Sequence, residues 1–186
     1  MSGELIADKA LILRNFTVKE SDCVLHCLTE HHGKIHLYAK HARNSKRRFG
    51  GGLDPLSLGE IEFKQPSERK SSSSLAFIES FRTIDSAHRY LTPFHLYQSA
   101  SLWVECLDYL STEGDSQSDL FSMARATLAE LTVLSSKEDF EQTLSRAIRN
   151  ILLKTGFLAE EQPVRNFAHA LTLVEEVAQR ALKAKW

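Results

Sequence analysis

The span HGKIHLYAKHARNSKRRF, residues 32 to 49, carries six Lys and Arg and no acid: Lys34, Lys40, Arg43, Lys46, Arg47 and Arg48. The formal net charge of the whole chain is -1, so this run is a local concentration within a near-neutral molecule. Clustered cations beside glycines suit contact with phosphate, which asks for charge more than for a fixed fork of donors. An aromatic joins them. In KIHLYAK the alternation turns Ile35, Leu37 and Ala39 to one face and Lys34, His36, Tyr38 and Lys40 to the other. A ring flanked by lysines is what stacking on unpaired bases requires. Arg14 and Lys64 extend this surface where their strands point outward. Contact through flexible Lys and Arg is expected to be insensitive to base sequence.

The other chemistry-bearing residues form no recognisable constellation. Eight histidines are present, with His26 and His36 on neighbouring apolar runs where the two could meet, and His31 and His32 at a turn. A zinc site needs convergent ligands in a recognisable spacing, and none is read here. Cys23, Cys27 and Cys106 are too few and too scattered for a disulfide framework or a cysteine zinc site; Cys23 and Cys27 read as small apolar residues of a strand. No phosphate loop, dinucleotide fingerprint, metalloprotease helix or nucleophile elbow occurs. No catalytic residue, metal or cofactor is therefore expected. No apolar run is long enough to span a bilayer and the N-terminus lacks a basic, signal-like start, which points to the cytoplasm.

The elements that must position the basic run change type once. ALILRNF, CVLHCLT, KIHLYAK, LSLGEIEFK and LAFIESFRTI read as five short strands with no room for crossover helices. GGGLDP and QPSERKSSSS are the breaks between the later ones, and the glycines make the basic segment a mobile loop. Five such strands suit an oligonucleotide-binding (OB) barrel, with an SH3-like barrel nearly indistinguishable from sequence. From Pro93 the period becomes helical. Leu96, Ala100, Trp103, Leu107 and Leu110 mark one helix, and Leu120 to Leu134 a second. A third is capped by Ser136 or Ser135 and ended by Gly156, and a fourth runs roughly from 164 to 184. The fold class is α+β: an OB barrel over residues 1–85, then a helical bundle over 86–186 that docks partners.

Between Tyr90 and Ala124 there is no Lys or Arg, but Glu105, Asp108, Glu113, Asp115 and Asp119 are present. That surface is expected to repel phosphate, leaving the helical half for protein contacts. Arg146 and Arg149, one turn apart beside Ile148 and Leu152, form a candidate groove for an acidic, apolar-ended peptide. Three classes of function compete. A non-enzymatic DNA-binding protein leads, a protein–protein adaptor using the barrel for docking is the alternative, and a nuclease is disfavoured because its carboxylates would have to converge.

The N-terminal third resembles the RecO family of bacterial recombination mediators. The resemblance lies in ALILRNFTVKESDCVLHCLT, in EHHGKIHLYAKHARNSKRR, where His41 stands in place of the family's glycine, and in LDPL. SLWVECLDYL, DLF and LLKTGF carry weaker traces through the helical half. The resemblance implies binding of single- and double-stranded DNA, strand annealing and recombinase loading. RecR and the C-terminal tail of single-strand binding protein are the implied partners. Carried over by position, Lys40, Arg43, Lys46, Arg47 and Arg48 are the DNA-contacting residues. Many members hold zinc in a cysteine cluster after the "GF" position. GFLAEEQPVRNF has no cysteine, so that module is not expected here, and the chain is shorter than typical members.

Overall fold

The computed structural model describes residues 4–50, 52–65, 75–86, 91–114 and 118–179. The serine loop, His88, Asp115 and the end of the fourth predicted helix lie outside these described residues. Five strands come first: β1 (Leu5–Thr17), β2 (Cys23–Thr29), β3 (Lys34–Ala39), β4 (Ser57–Lys64) and β5 (Ala76–Ser86). They close into a barrel in the order β1-β2-β3-β5-β4, with β4 returning to β1. The β3–β5 pairing is parallel and short, joining Leu37 to Ala76 and Tyr38 to Phe77. The remaining pairings are antiparallel. Five strands closed in this order make an OB barrel.

Alternation explains which residues fill it. Ala10, Ile12, Leu25, Cys27, Leu37, Ala39, Ile61 and Phe63 point inward and form the barrel core. Leu11 and Leu13 point the other way and are equally buried, because they join the core of the helices. That double burial is why ALIL reads as an unbroken apolar run. A register shift opposite Glu62 and Phe63 of β4 places both Ile78 and Phe81 of β5 inside although three positions separate them. Gly59 faces Phe81 so closely that a Cβ there would lie 2.5 Å from the ring.

Four helices follow: α1 (Phe94–Leu110), α2 (Ser118–Leu131), α3 (Lys137–Lys154) and α4 (Phe167–Ala178). α1 is the central one, with Trp103, Val104, Cys106 and Leu107 fully buried and α3, α4 and β1 packed against it. Ser136 caps α3 by accepting from the Asp139 amide, and Gly156 just past its end has φ 75°. Two boundaries differ from the periodicity. α2 stops at Leu131, three residues before the predicted end. α4 starts at Phe167 because Asn166 caps it by accepting from the His169 amide at 2.9 Å. No helix of the described residues is long and apolar enough to cross a membrane.

Candidate nucleic-acid interface

The basic segment is a loop between β3 and β4, and it is tied down through residue 50. Phe49 inserts into the barrel core. Arg48 lies 4.6 Å over the Phe49 ring and donates to three carbonyls: Ile78 at 2.6 Å, Glu79 at 2.7 Å and Lys40 at 2.9 Å. At the other end the Arg43 amide donates to the Ser21 carbonyl, and the His41 amide to Asp22. His41 has φ 53°, a left-handed conformation that explains why glycine would be favoured there. The mobility expected from the glycines is thus replaced by anchoring, because Phe49 and Arg48 fasten the turn to β5.

Structure divides the candidate cations into two groups. Arg14 pairs with Glu105 and Asp108, each at 2.7 Å, and its side chain is 15% exposed. Lys34, 11% exposed, donates to the Asp108 carbonyl at 2.6 Å. Lys64 pairs with Glu79 at 3.1 Å. Lys40, Lys46 and Arg47 are exposed and, among the described residues, have no carboxylate partner. Arg43 donates to the Thr17 hydroxyl at 2.9 Å, and Arg48 binds carbonyls, so neither charge is neutralised. The second group keeps an uncompensated positive charge at one end of the barrel. Arg14 and Lys34 belong to the contact between barrel and helices, which covers the face they were expected to line.

A row of rings runs beside Lys40, Arg43 and Arg48. Phe16 pairs with Val24, Val24 with Tyr38, and Tyr38 with Phe77, so the row crosses β1, β2, β3 and β5. Phe16 is 39% and Phe77 40% exposed. The Tyr38 and Phe77 rings meet edge to face, 5.8 Å between centroids, while the Tyr38 hydroxyl donates to Asp22. That bond raises the tyrosine pKa; backbone donation from His41 and the tyrosine hydroxyl lower that of Asp22. Sequence reasoning named Tyr38 alone. Phe16 and Phe77 were missed because register across strands is invisible in sequence, although an aromatic at an outward position was the available signal.

Next to this row the outer face closes against the helices. His26 and His36 do meet, stacked at 3.8 Å. His26 Nδ1 donates to Asp108 at 2.8 Å, and His36 Nδ1 lies 3.3 Å from Glu113. Burial alone would raise the Asp108 pKa, but the His26 bond and the charges of Lys34 and Arg14 hold it below the usual carboxylate range. His36 is pushed below the ordinary imidazole value, first by burial and then by the charges of His26 and Lys34. Its Nε2 is buried without a hydrogen-bond partner, so a proton there would have no acceptor. The acid-rich stretch is therefore not a free acidic surface. Glu105 and Asp108 face Arg14, Glu113 faces His36, and Asp119 pairs with Lys154 at 2.5 Å.

Arg146 pairs with Glu130 at 2.5 Å, and Arg149 donates to the Glu160 carbonyl at 2.8 Å. Ile148 and Leu152 are fully buried and open no groove beside them. Arg146 instead borders a cleft of about 180 Å³ between α1, α2 and α3, with Trp103, Met123 and Thr127 in its walls. A larger groove of about 1170 Å³ runs over β1, β4 and β5, with Lys46, Arg47 and Arg48 at one rim. Its floor also carries Glu60, Glu62 and Asp85, which disfavours phosphate there and leaves the aromatic row as the better seat.

Residues 1–87 match the family described as Recombination protein O N terminal. The DNA repair protein RecO of Syntrophobacter fumaroxidans is 30% identical over 123 residues, 66% of this chain and 47% of that protein. RecO of Desulfosudis oleivorans is 34% identical over 119 residues, 64% and 45% of the two chains. RecO of Thermodesulfovibrio yellowstonii is 35% identical over 83 residues, 44% and 33%. The chain spans about half the length of the first two relatives. A barrel closed in OB order, the match over its whole length and these relatives agree: residues 1–87 belong to the RecO N-terminal family, and the chain as a whole is similar to RecO proteins.

Proposed function

We propose that this protein is a non-enzymatic mediator of DNA repair and recombination that binds single- and double-stranded DNA with little regard to sequence. One observation carries the reading. Lys40, Arg43 and Arg48, none neutralised by a carboxylate among the described residues, adjoin the row of Phe16, Tyr38 and Phe77 at Tyr38, Thr17 and Ile78, with Lys46 and Arg47 on the same loop. Cations beside rings on one barrel face bind a backbone and stack its bases without reading them. The names of the relatives, DNA repair protein RecO, support the repair role. Annealing follows the same chemistry, since a strand held by phosphate and base faces keeps its pairing edges free. Recombinase loading, RecR and residence with the nucleoid belong to the same proposal.

The acidic tail of single-strand binding protein is the second proposed partner. Its seat is the cleft beside Arg146, whose guanidinium exchanges Glu130 for the peptide carboxylate, with Arg149 farther along α3. Calorimetry of that peptide against the wild-type chain and an Arg146→Ala, Arg149→Ala variant checks this, and equal affinities would refute it.

DNA binding is tested by titrating labelled single strands at several salt concentrations. Replacing Lys40, Arg43, Lys46 and Arg47 with Ala is expected to weaken binding equally for different sequences. Each lost contact should flatten the log–log salt slope by roughly 0.7. An unchanged slope would move the interface elsewhere and favour the adaptor reading, in which the barrel docks a protein.

A further inference from the structure

We propose that Asp8, Glu30 and His31 form a binding site for a divalent transition-metal ion of the zinc class. The site lies where the β2–β3 turn meets β1. One ligand atom from each of the three side chains lies within 4.8 Å of the others. This spread matches a site ready to close on a small ion, since zinc holds nitrogen and oxygen ligands at about 2.0–2.2 Å.

The arrangement is built into the fold. The Glu30 amide donates to the Lys9 carbonyl at 3.0 Å, which pins the turn to β1, and within the turn the Thr29 hydroxyl donates to the Gly33 carbonyl at 2.8 Å. The Asp8 side chain is fully buried. One of its oxygens accepts from the Lys9 amide at 2.8 Å and from His31 Nδ1 at 2.9 Å. The other accepts from the His31 amide at 3.1 Å and from His32 Nδ1 at 2.7 Å. Four donors thus converge on the two Asp8 oxygens.

A turn that merely needed a cap would use one of these groups. Here a second carboxylate, Glu30, sits beside the first. Two carboxylates sharing a site repel. Their present compensation on the Glu30 side is Lys9, 3.0 Å away on a partly exposed side chain. A divalent ion resolves the repulsion directly, taking the place of the proton between His31 and Asp8. One imidazole with two carboxylates is a mixed nitrogen and oxygen set, which suits zinc better than calcium or magnesium. His32 then becomes the outer partner that orients the Asp8 carboxylate, itself packed edge-on against Phe63 at 5.5 Å. Three protein ligands leave a position open, and it faces the large groove, which Asp8, Glu30 and His31 all line.

The test needs no nucleic acid, so its outcome is independent of the DNA-binding reading. Zinc is titrated into the untagged full chain by calorimetry, and cobalt is added in parallel to read coordination from its visible absorption. The expected result is about one equivalent bound, a cobalt band and a higher melting temperature with zinc. His31→Ala and Glu30→Gln should each weaken binding by at least about tenfold. Both positions are partly or fully exposed, and melting curves without metal verify that the variants fold. His41→Ala, which alters a histidine outside the cluster, should bind like wild type. Absence of binding at millimolar zinc, or equal affinity in wild type and the His31 and Glu30 variants, would overturn the proposal.

Discussion

Arg47 and Arg48 are neighbours in the chain with different work to do. Arg48 donates to three carbonyls and covers Phe49, while Arg47 projects into solvent. Arg48→Ala leaves those carbonyls without a charged donor and should lower stability by about 1–3 kcal/mol in urea unfolding. Arg47→Ala should stay within about 0.5 kcal/mol of wild type. If both variants melt alike, Arg48 is not the fastener described. The charge run itself was plain in the sequence, and so was the outward side of Tyr38. Which cations remain free was not legible, because Ile78 and Glu79, the acceptors that hold Arg48, lie about thirty residues away in the chain. The same limit hid the cluster proposed to bind metal: Asp8 and His31 read as unrelated residues until β1 and the turn are brought together.

Among the elements, β1 does the most to join the molecule, since its two faces serve two cores. Its outward Arg14 reaches α1, where Asp108 collects Arg14, His26 and Lys34 at a side chain 5% exposed. Removing that carboxylate leaves Arg14 with Glu105 alone, Lys34 with the Asp108 carbonyl alone, and His26 without its acceptor. Asp108→Ala should cost about 1–3 kcal/mol in equilibrium unfolding, beyond a surface charge change. A loss within the range of a surface substitution would show that water already shields the pair. Apolar runs and periodicity located the five strands and four helices of the described residues, β1 by an unbroken run buried on both faces and most others by one apolar face. Periodicity could not foresee that Glu105 and Asp108 of α1 point at the outer face of the barrel. Glu105 and Asp108 fall beside the apolar stripe of the helix, and only the position of β1 decides whether that flank meets solvent or arginine.

At the scale of the whole molecule, acid should loosen the protein in two stages. His36 is depressed below 6.5 in the folded chain, so the unfolded imidazole takes up its proton first. The stability this group contributes is complete above pH 6.5 and declines as pH falls below it. Asp8 and Asp108 are depressed below 3.8; their contribution is complete above that value and is lost on further acidification. Unfolding midpoints in urea, measured from neutral pH downward, should therefore bend twice. His36→Asn should remove the upper bend and spare the lower one. A midpoint unchanged until the carboxylate range would mean that the buried imidazole exerts no hold on the fold.

The two-residue parallel pairing of β3 with β5 has a consequence for how the barrel breathes. Long antiparallel ladders fasten the other strands, while this junction rests on Leu37 with Ala76 and Tyr38 with Phe77. Local opening follows the weakest ladder, so amides near residues 76 to 78 should exchange with deuterated water before those of β1 or β2. Tyr38 and Phe77 stand on opposite sides of the junction. A strand stacked across both rings would act as a clamp and slow that exchange, whereas one held by the loop cations alone would leave it unchanged.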